Sequence, residues 1–223
     1  MTGKRVYIYC EGQTEETFVK RILSSYLAGV GIYAYPVAAA TKRTARKKFK
    51  GGVTTYDRIK HQLEMLCKQY ESELVTTMID YYALPPETPE LSDSVGDANV
   101  KARRVEEAIK KDIGEPNLFV HLQIHEFEAL LFSDPRAFEI LVEDGEGMER
   151  VEKMVRIRAD FSTPEDINNA YETAPSKRIA HVFPTYKKVT DGLSVAELVG
   201  IDAMLLECPH FAEWVRLLIR LAR

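Results

Sequence analysis

Cysteine is scarce in this chain, positive charge is not in excess, and no long apolar run occurs. The three cysteines, Cys10, Cys67 and Cys208, stand far apart and form no CxxC pair. That argues against a disulfide framework or a zinc module and fits a reducing cytosol. A net charge of −4 speaks against a protein that coats nucleic acid over its whole surface, while leaving room for a local basic patch. No apolar stretch approaches the roughly 20 residues needed to cross a bilayer. The opening MTGKRVYIYCEGQ turns polar after one short apolar run, too soon for a signal peptide. Internal repeats and low-complexity segments are missing too. The expectation is a soluble, cytoplasmic protein with no membrane partner, and 223 residues suffice to bury a full core.

What is present alternates between two periodicities. RVYIYC (residues 5–10) is β-branched and aromatic and meets Gly12 almost at once, which reads as a buried strand entering a tight turn. Thr14 is the predicted N-cap of a helix carrying Phe18, Ile22 and Tyr26, backed by Val19 and Leu23, with Glu15 and Glu16 at its positive end. Residues 32–38 predict a second strand, and Tyr56, Ile59, Leu63, Leu66 and Tyr70 the stripe of a second helix. LVTTMI (residues 74–79) is strand-like and stops at Asp80. A proline-rich acidic loop follows over residues 84–97, then a helix marked by Val105, Ala108, Ile109 and Ile113. In residues 118–125, Leu118, Val120, Leu122 and Ile124 alternate with Phe119, His121, Gln123 and His125, as in a strand with one apolar face. Phe127, Leu130 and Leu131 then switch to helical spacing. Residues 1–132 therefore predict an α/β core with a mostly parallel sheet flanked by helices. Residues 133–223 predict a helical C-terminal region packed on that core, ending in a helix with Phe211, Trp214, Val215 and Leu218.

Ligands of an open parallel sheet bind beyond the carboxyl ends of its strands. Three of the four predicted strands end there in acid: the first at Glu11, the third at Asp80, and the fourth runs into His125, Glu126 and Glu128. Taken singly, such an acid serves as a helix cap or a surface group, and His125 can equally be a satisfied structural histidine. Glu126 and Glu128 lie two apart at a change of periodicity, so at most one need face the site. Gathered together, carboxylates repel unless a cation neutralises them, and an all-oxygen set suits Mg²⁺ or Mn²⁺ with substrate phosphates.

Opposite charge is local. Lys42, Arg43, Arg46, Lys47, Lys48 and Lys50 fall in a stretch without apolar periodicity, able to hold a polyanion or simply to face solvent. Pro175 and Ser176 read as a helix start, and with Lys177 and Arg178 they make either an anion site or an ordinary capped terminus. Tyr186, Lys187 and Lys188 give a weaker signal of the same kind. Tyr81 and Tyr82 read as packing residues beneath the acidic loop, and Cys208, Pro209 and His210 as the start of the last helix.

CEGQTEETF (residues 10–18), IDYYALP (79–85), IHEFEALLFSD (124–134), APSKRI (174–179) and CPHFAEW (208–214) resemble an uncharacterised bacterial family placed near the Toprim superfamily. Toprim domains hold Mg²⁺ with a glutamate after the first strand and an Asp-x-Asp after a later one. Glu11 is similar to that glutamate, EGxTE looks like the version in the overcoming-lysogenization-defect nucleases, and Asp80 resembles the first aspartate. Tyr82 stands where the second would be, so Glu126 or Glu128 has to supply that ligand. The resemblance implies a Mg²⁺- or Mn²⁺-dependent nuclease acting on DNA or RNA, in phage-defence or mobile-element settings beside a partner ATPase. The alternative it leaves is a non-catalytic Toprim-like module that binds nucleic acid or that ATPase.

Overall fold

The first apolar run forms β1 (Lys4–Cys10), after which the chain winds through α1 (Gln13–Phe18), a π-helical turn at Val19–Leu23 and α2 (Ser24–Ala28). β2 (Ile32–Ala38) follows, then α3 (Tyr56–Gln69), β3 (Leu74–Asp80), α4 (Ala98–Ile113) and the two short strands β4 (Leu118–Phe119) and β5 (Leu122–Gln123). The computed structural model describes residues 3–39, 55–92, 96–142, 147–168 and 171–221. Strand order is β2-β1-β3-β4, with β5 also pairing β3, and every pairing is parallel. The expected α/β class is therefore found: a parallel five-stranded sheet flanked by helices.

Alternation along β1 and β3 sorts their side chains onto two cores. Tyr7, Tyr9, Val75 and Ile79 pack with Ile59 and Leu63 of α3 and Val105 and Ile109 of α4. Val6, Ile8, Cys10 and Met78 face the other way, onto α1, α2 and the C-terminal helices α5 (Gly147–Ala159), α6 (Pro175–Val182), α7 (Asp191–Glu207) and α8 (Pro209–Leu221). That second core runs from Val6 through Phe127, Phe138, Met154, Ile179 and Val195 to Trp214, so residues 133–221 share one apolar interior with the sheet. Each large side chain fully buried there contributes about 1.5–3 kcal/mol. Among the described residues no helix is long and apolar enough to cross a membrane.

Three local expectations change. The first helix is capped at Gly12, not Thr14: the Glu15 carboxylate reaches back to accept from the Gly12 N–H at 3.1 Å. The π-turn inserts an extra residue into the helix, so its buried stripe runs Phe18, Val19, Leu23, Leu27, and Ile22 and Tyr26 slide to the margin. Residues 118–125 do not form one strand with a single apolar face. The Thr77 hydroxyl intrudes on the ladder, donating to His121 C=O at 2.7 Å and accepting from His121 N–H at 2.8 Å. His121, Gln123 and His125 are buried as well, because the C-terminal helices cover their side of the sheet. Gly200 interrupts α7 at φ 72°, ψ 158°, a backbone region open to glycine alone.

Candidate functional site

Pairing of β1 with β3 sets the first part of the site. Cys10 lies opposite Met78, and the Glu11 N–H donates to Met78 C=O at 3.4 Å, so the chain leaves β1 at Glu11 beside the end of β3 at Asp80. On the other flank Asp80 lies opposite Gln123 of β5. The 3₁₀ turn Phe127–Ser133 begins there, and its first N–H, that of Phe127, donates to Asp80 Oδ1 at 2.8 Å. One turn of this helix brings Glu128 inward, where it is fully buried. Into the same space comes Lys188, from the segment between α6 and α7. Its ammonium is 3.4 Å from Asp80 Oδ2 and 3.0 Å from Glu128 Oε2.

Charge at this edge is unbalanced. Among the described residues, Glu11, Glu15, Asp80 and Glu128 act on one another electrostatically against the one ammonium of Lys188. Loss of water around Glu11 and the charge of Glu15 push its carboxyl up to about 7, against the pull of Lys188. Burial raises Glu128 to about 7 as well, again opposed by Lys188. Asp80 is driven well above the usual carboxylate range by burial and by its acidic neighbours. Lys188 moves upward: burial disfavours its charge, but Asp80 and Glu128 outweigh that. Several buried polar atoms here have no hydrogen-bond partner among the described residues: Glu128 Oε1, both amide atoms of Gln123 beside Asp80, and the Tyr186 hydroxyl. The last is affected by the charges of Glu128 and Lys188 and sits over Gly192, where a Cβ would come within 2.6 Å of it.

The other residues singled out in the sequence go elsewhere. Glu126 accepts from the Ser176 N–H at 2.5 Å, so the anion at the start of α6 is the protein's own carboxylate. Arg178 turns back to donate to Thr173 C=O at 2.8 Å and lies over the Phe161 ring, and Lys177 occupies the same first turn. His125, at φ 62°, is turned toward Glu165 and Asp166; burial holds its pKa down, against the charge of Glu126. Tyr82 does not pack beneath the loop: 47% exposed, it tilts against His125 with ring centroids 5.2 Å apart. Lys42, Arg43, Arg46, Lys47, Lys48 and Lys50 lie outside the described residues. The chain leads toward them from Ala39, whose N–H donates to Cys10 C=O at 2.9 Å, one residue before Glu11. Lys188 carried only a weak basic-patch signal in the sequence, yet it is the cation at the centre of the cluster.

A second cluster was not legible in the sequence. Glu106 of α4, His121 between β4 and β5, and His210 in the first turn of α8 could hold a metal ion, with one ligand atom from each lying within 4.8 Å of the others. Glu106 Oε1 lies 2.8 Å from His210 Nε2 and 3.7 Å from His121 Nδ1, and accepts from the Leu122 N–H at 2.7 Å. His121 is stacked between Trp214, at 4.3 Å, and His210, at 5.0 Å. Burial holds the pKa of His121 well below its ordinary value. In His210 burial acts the same way, but the Glu106 hydrogen bond and charge prevail and raise it.

No curated protein and no solved structure matches this chain. One family does, described as Domain of unknown function (DUF4276), and the match covers residues 10–219, from the end of β1 into the last helix. Both clusters fall inside that span, and the chain belongs to this family.

Proposed function

We propose that the carboxyl edge of the sheet is a metal-dependent phosphodiesterase site of Toprim type, acting on DNA or RNA. The observation that carries this reading is the convergence of Asp80 and Glu128 on one ammonium, with Glu11 leaving the adjacent strand end. Among the described residues four carboxylates face one lysine, a deficit of positive charge, and Glu128 Oε1 and the Gln123 amide, unpartnered there, offer oxygen ligands and a hydrogen-bond donor to fill it. Glu11, Asp80 and Glu128 would hold Mg²⁺ or Mn²⁺, with Glu128 supplying the ligand that Tyr82 cannot. Such an ion polarises a phosphoryl oxygen and makes bound water a better nucleophile at neutral pH.

The protein's own groups divide the remaining work. The Phe127 N–H fixes the orientation of Asp80. Lys188, with 39% of its side chain exposed, can turn from the carboxylates to a phosphate oxygen. Glu11 and Glu128, both raised to about 7, would have to give up their protons to serve as ligands. The six basic residues between 42 and 50 follow the strand next to Glu11 and would bind the polyanion, with an affinity that falls as salt rises. In a phage-defence or mobile-element setting, a partner ATPase would control access.

One observation favours the alternative of a non-catalytic module for nucleic acid or that ATPase. Lys188 already neutralises part of the charge on Asp80 and Glu128, and Tyr82 points away from the cluster. Incubating the full chain with DNA and RNA in Mn²⁺ or Mg²⁺ separates the two. Cleavage that disappears with chelator and falls about 100-fold or more in Glu11→Gln and Asp80→Asn supports the enzyme. Equal cleavage in wild type and both variants, or binding of nucleic acid without cleavage under any metal, rejects it.

A further inference from the structure

We propose that Glu106, His121 and His210 form a second cation site, chemically distinct from the acidic edge, that takes a borderline transition-metal ion such as Zn²⁺. Two imidazoles and one carboxylate are the donor set of many zinc centres, whereas Mg²⁺ is poorly served by nitrogen. Zn–N and Zn–O bonds of about 2.0–2.2 Å place tetrahedral ligand atoms roughly 3.3–3.6 Å apart. The distances of 2.8 Å and 3.7 Å from Glu106 Oε1 to the two histidines bracket that spacing.

Burial makes the arrangement costly to leave as it stands. His121 is 1% exposed and His210 4%, and among the described residues the nitrogens that do not face Glu106, His121 Nε2 and His210 Nδ1, find no partner. A carboxylate alone does not account for two histidines here: Glu106 Oε1 already serves the Leu122 N–H and His210. An ion shared among the three would bind His121 Nδ1, 3.7 Å from Glu106 Oε1, and would take His210 Nε2 and Glu106 Oε1 from their mutual hydrogen bond. Access exists as well. Glu106 lines a cavity of about 710 Å³, together with Arg103, Phe119, Arg216 and Arg220, from which water or an anion can complete the coordination.

The rings constrain how the ion is held. His121 and His210 lie 25° from parallel, so in-plane donation from both requires one of them to turn. His121 is pinned on its other face by Trp214, 5° from parallel at 4.3 Å. The His210 ring therefore turns. Because Trp214 is the chain's single tryptophan, tryptophan fluorescence reports on the surroundings of this stack.

The test titrates the full chain, stripped with chelator, with Zn²⁺ by equilibrium dialysis and with Co²⁺ by absorption and fluorescence. The expected result is one equivalent of Zn²⁺ with Kd below about 10 μM, together with tetrahedral Co²⁺ bands and quenching of Trp214. Affinity falls at least about tenfold in His210→Ala and, with the hydrogen bonds retained, in Glu106→Gln, while Asp80→Asn keeps it. Absence of stoichiometric binding overturns the proposal. So does binding that both cluster variants leave unchanged, which places the ion on surface residues, or binding that Asp80→Asn abolishes, which places it at the acidic edge. Circular dichroism confirms that each variant is folded, and since neither ion nor readout involves cleavage, a failed nuclease assay leaves this result standing.

Discussion

The acidic edge gathers at the carboxyl end of β3, the histidine stack joins α4, the break between β4 and β5, and α8, and the two solve the problem of crowded polarity in opposite ways. Asp80 and Glu128 are like charges held together by one lysine, with the exposed Glu11 at the neighbouring strand end. Glu106, His121 and His210 set one carboxylate against two imidazoles, one of them stacked on Trp214. The first is electrostatically strained and partly open at Lys188. The second has fewer like charges to hold, its histidines are buried, and it is reached through the cavity that Glu106 lines. The difference shows that a cluster's donor atoms and charge balance, more than its burial, decide which cation it suits.

The comparison can be broken most severely at Asp80. Asp80→Asn keeps shape and one oxygen acceptor but removes the central charge, and metal-dependent cleavage should drop about 100-fold or more, measured as initial rate on a labelled oligonucleotide. Next in size is the pH dependence of the acidic edge. Glu11 and Glu128 sit at about 7, above the ordinary glutamate value, so the folded protein prefers them protonated. Their contribution to stability is full below the unfolded value near 4.5 and is lost as pH rises through about 7. A metal ion held by both must displace two protons, so Mn²⁺ affinity by calorimetry should climb about a hundredfold per pH unit well below 7, tenfold for each proton, and flatten above it.

Lys188→Ala leaves Asp80 and the fully buried Glu128 without their ammonium. Because the lysine is 39% exposed, the cost is below that of a wholly buried pair, about 2 kcal/mol in urea unfolding at pH 8. It should shrink at pH 6, where Glu128 takes up a proton, and saturating Mn²⁺ should recover much of it. The smallest effect belongs to the other cluster. Trp214→Phe removes the indole N–H that donates to Thr76 Oγ1 at 2.9 Å and should cost about 1–2 kcal/mol without changing Mn²⁺ affinity at the acidic edge.

The sequence reveals these two regions unequally. Ile32–Ala38 and the end of β3 at Asp80 follow directly from β-branched and aromatic runs. Strand ends near one another in a parallel sheet place Glu11 beside Asp80 without further information. The π-turn in the first helix and the Thr77 hydroxyl that splits residues 118–125 are not legible, because both arise from tertiary packing that overrides local periodicity. Lys188 hides among three consecutive polar or basic residues, and only the fold brings it 108 positions back to Asp80. Glu106, His121 and His210 share no motif: a helix face, a strand break and a helix start each look ordinary until α8 lays its first turn across α4.

Anomalous diffraction from crystals grown in Mn²⁺, collected at the manganese edge, bears most directly on the acidic edge. The expected result is a peak within coordination distance of the carboxyl groups of Glu11, Asp80 and Glu128, with Lys188 displaced from Glu128, and no peak in Asp80→Asn. Mn²⁺-dependent cleavage by crystals or solution with that edge still bridged by Lys188 and free of manganese would contradict it.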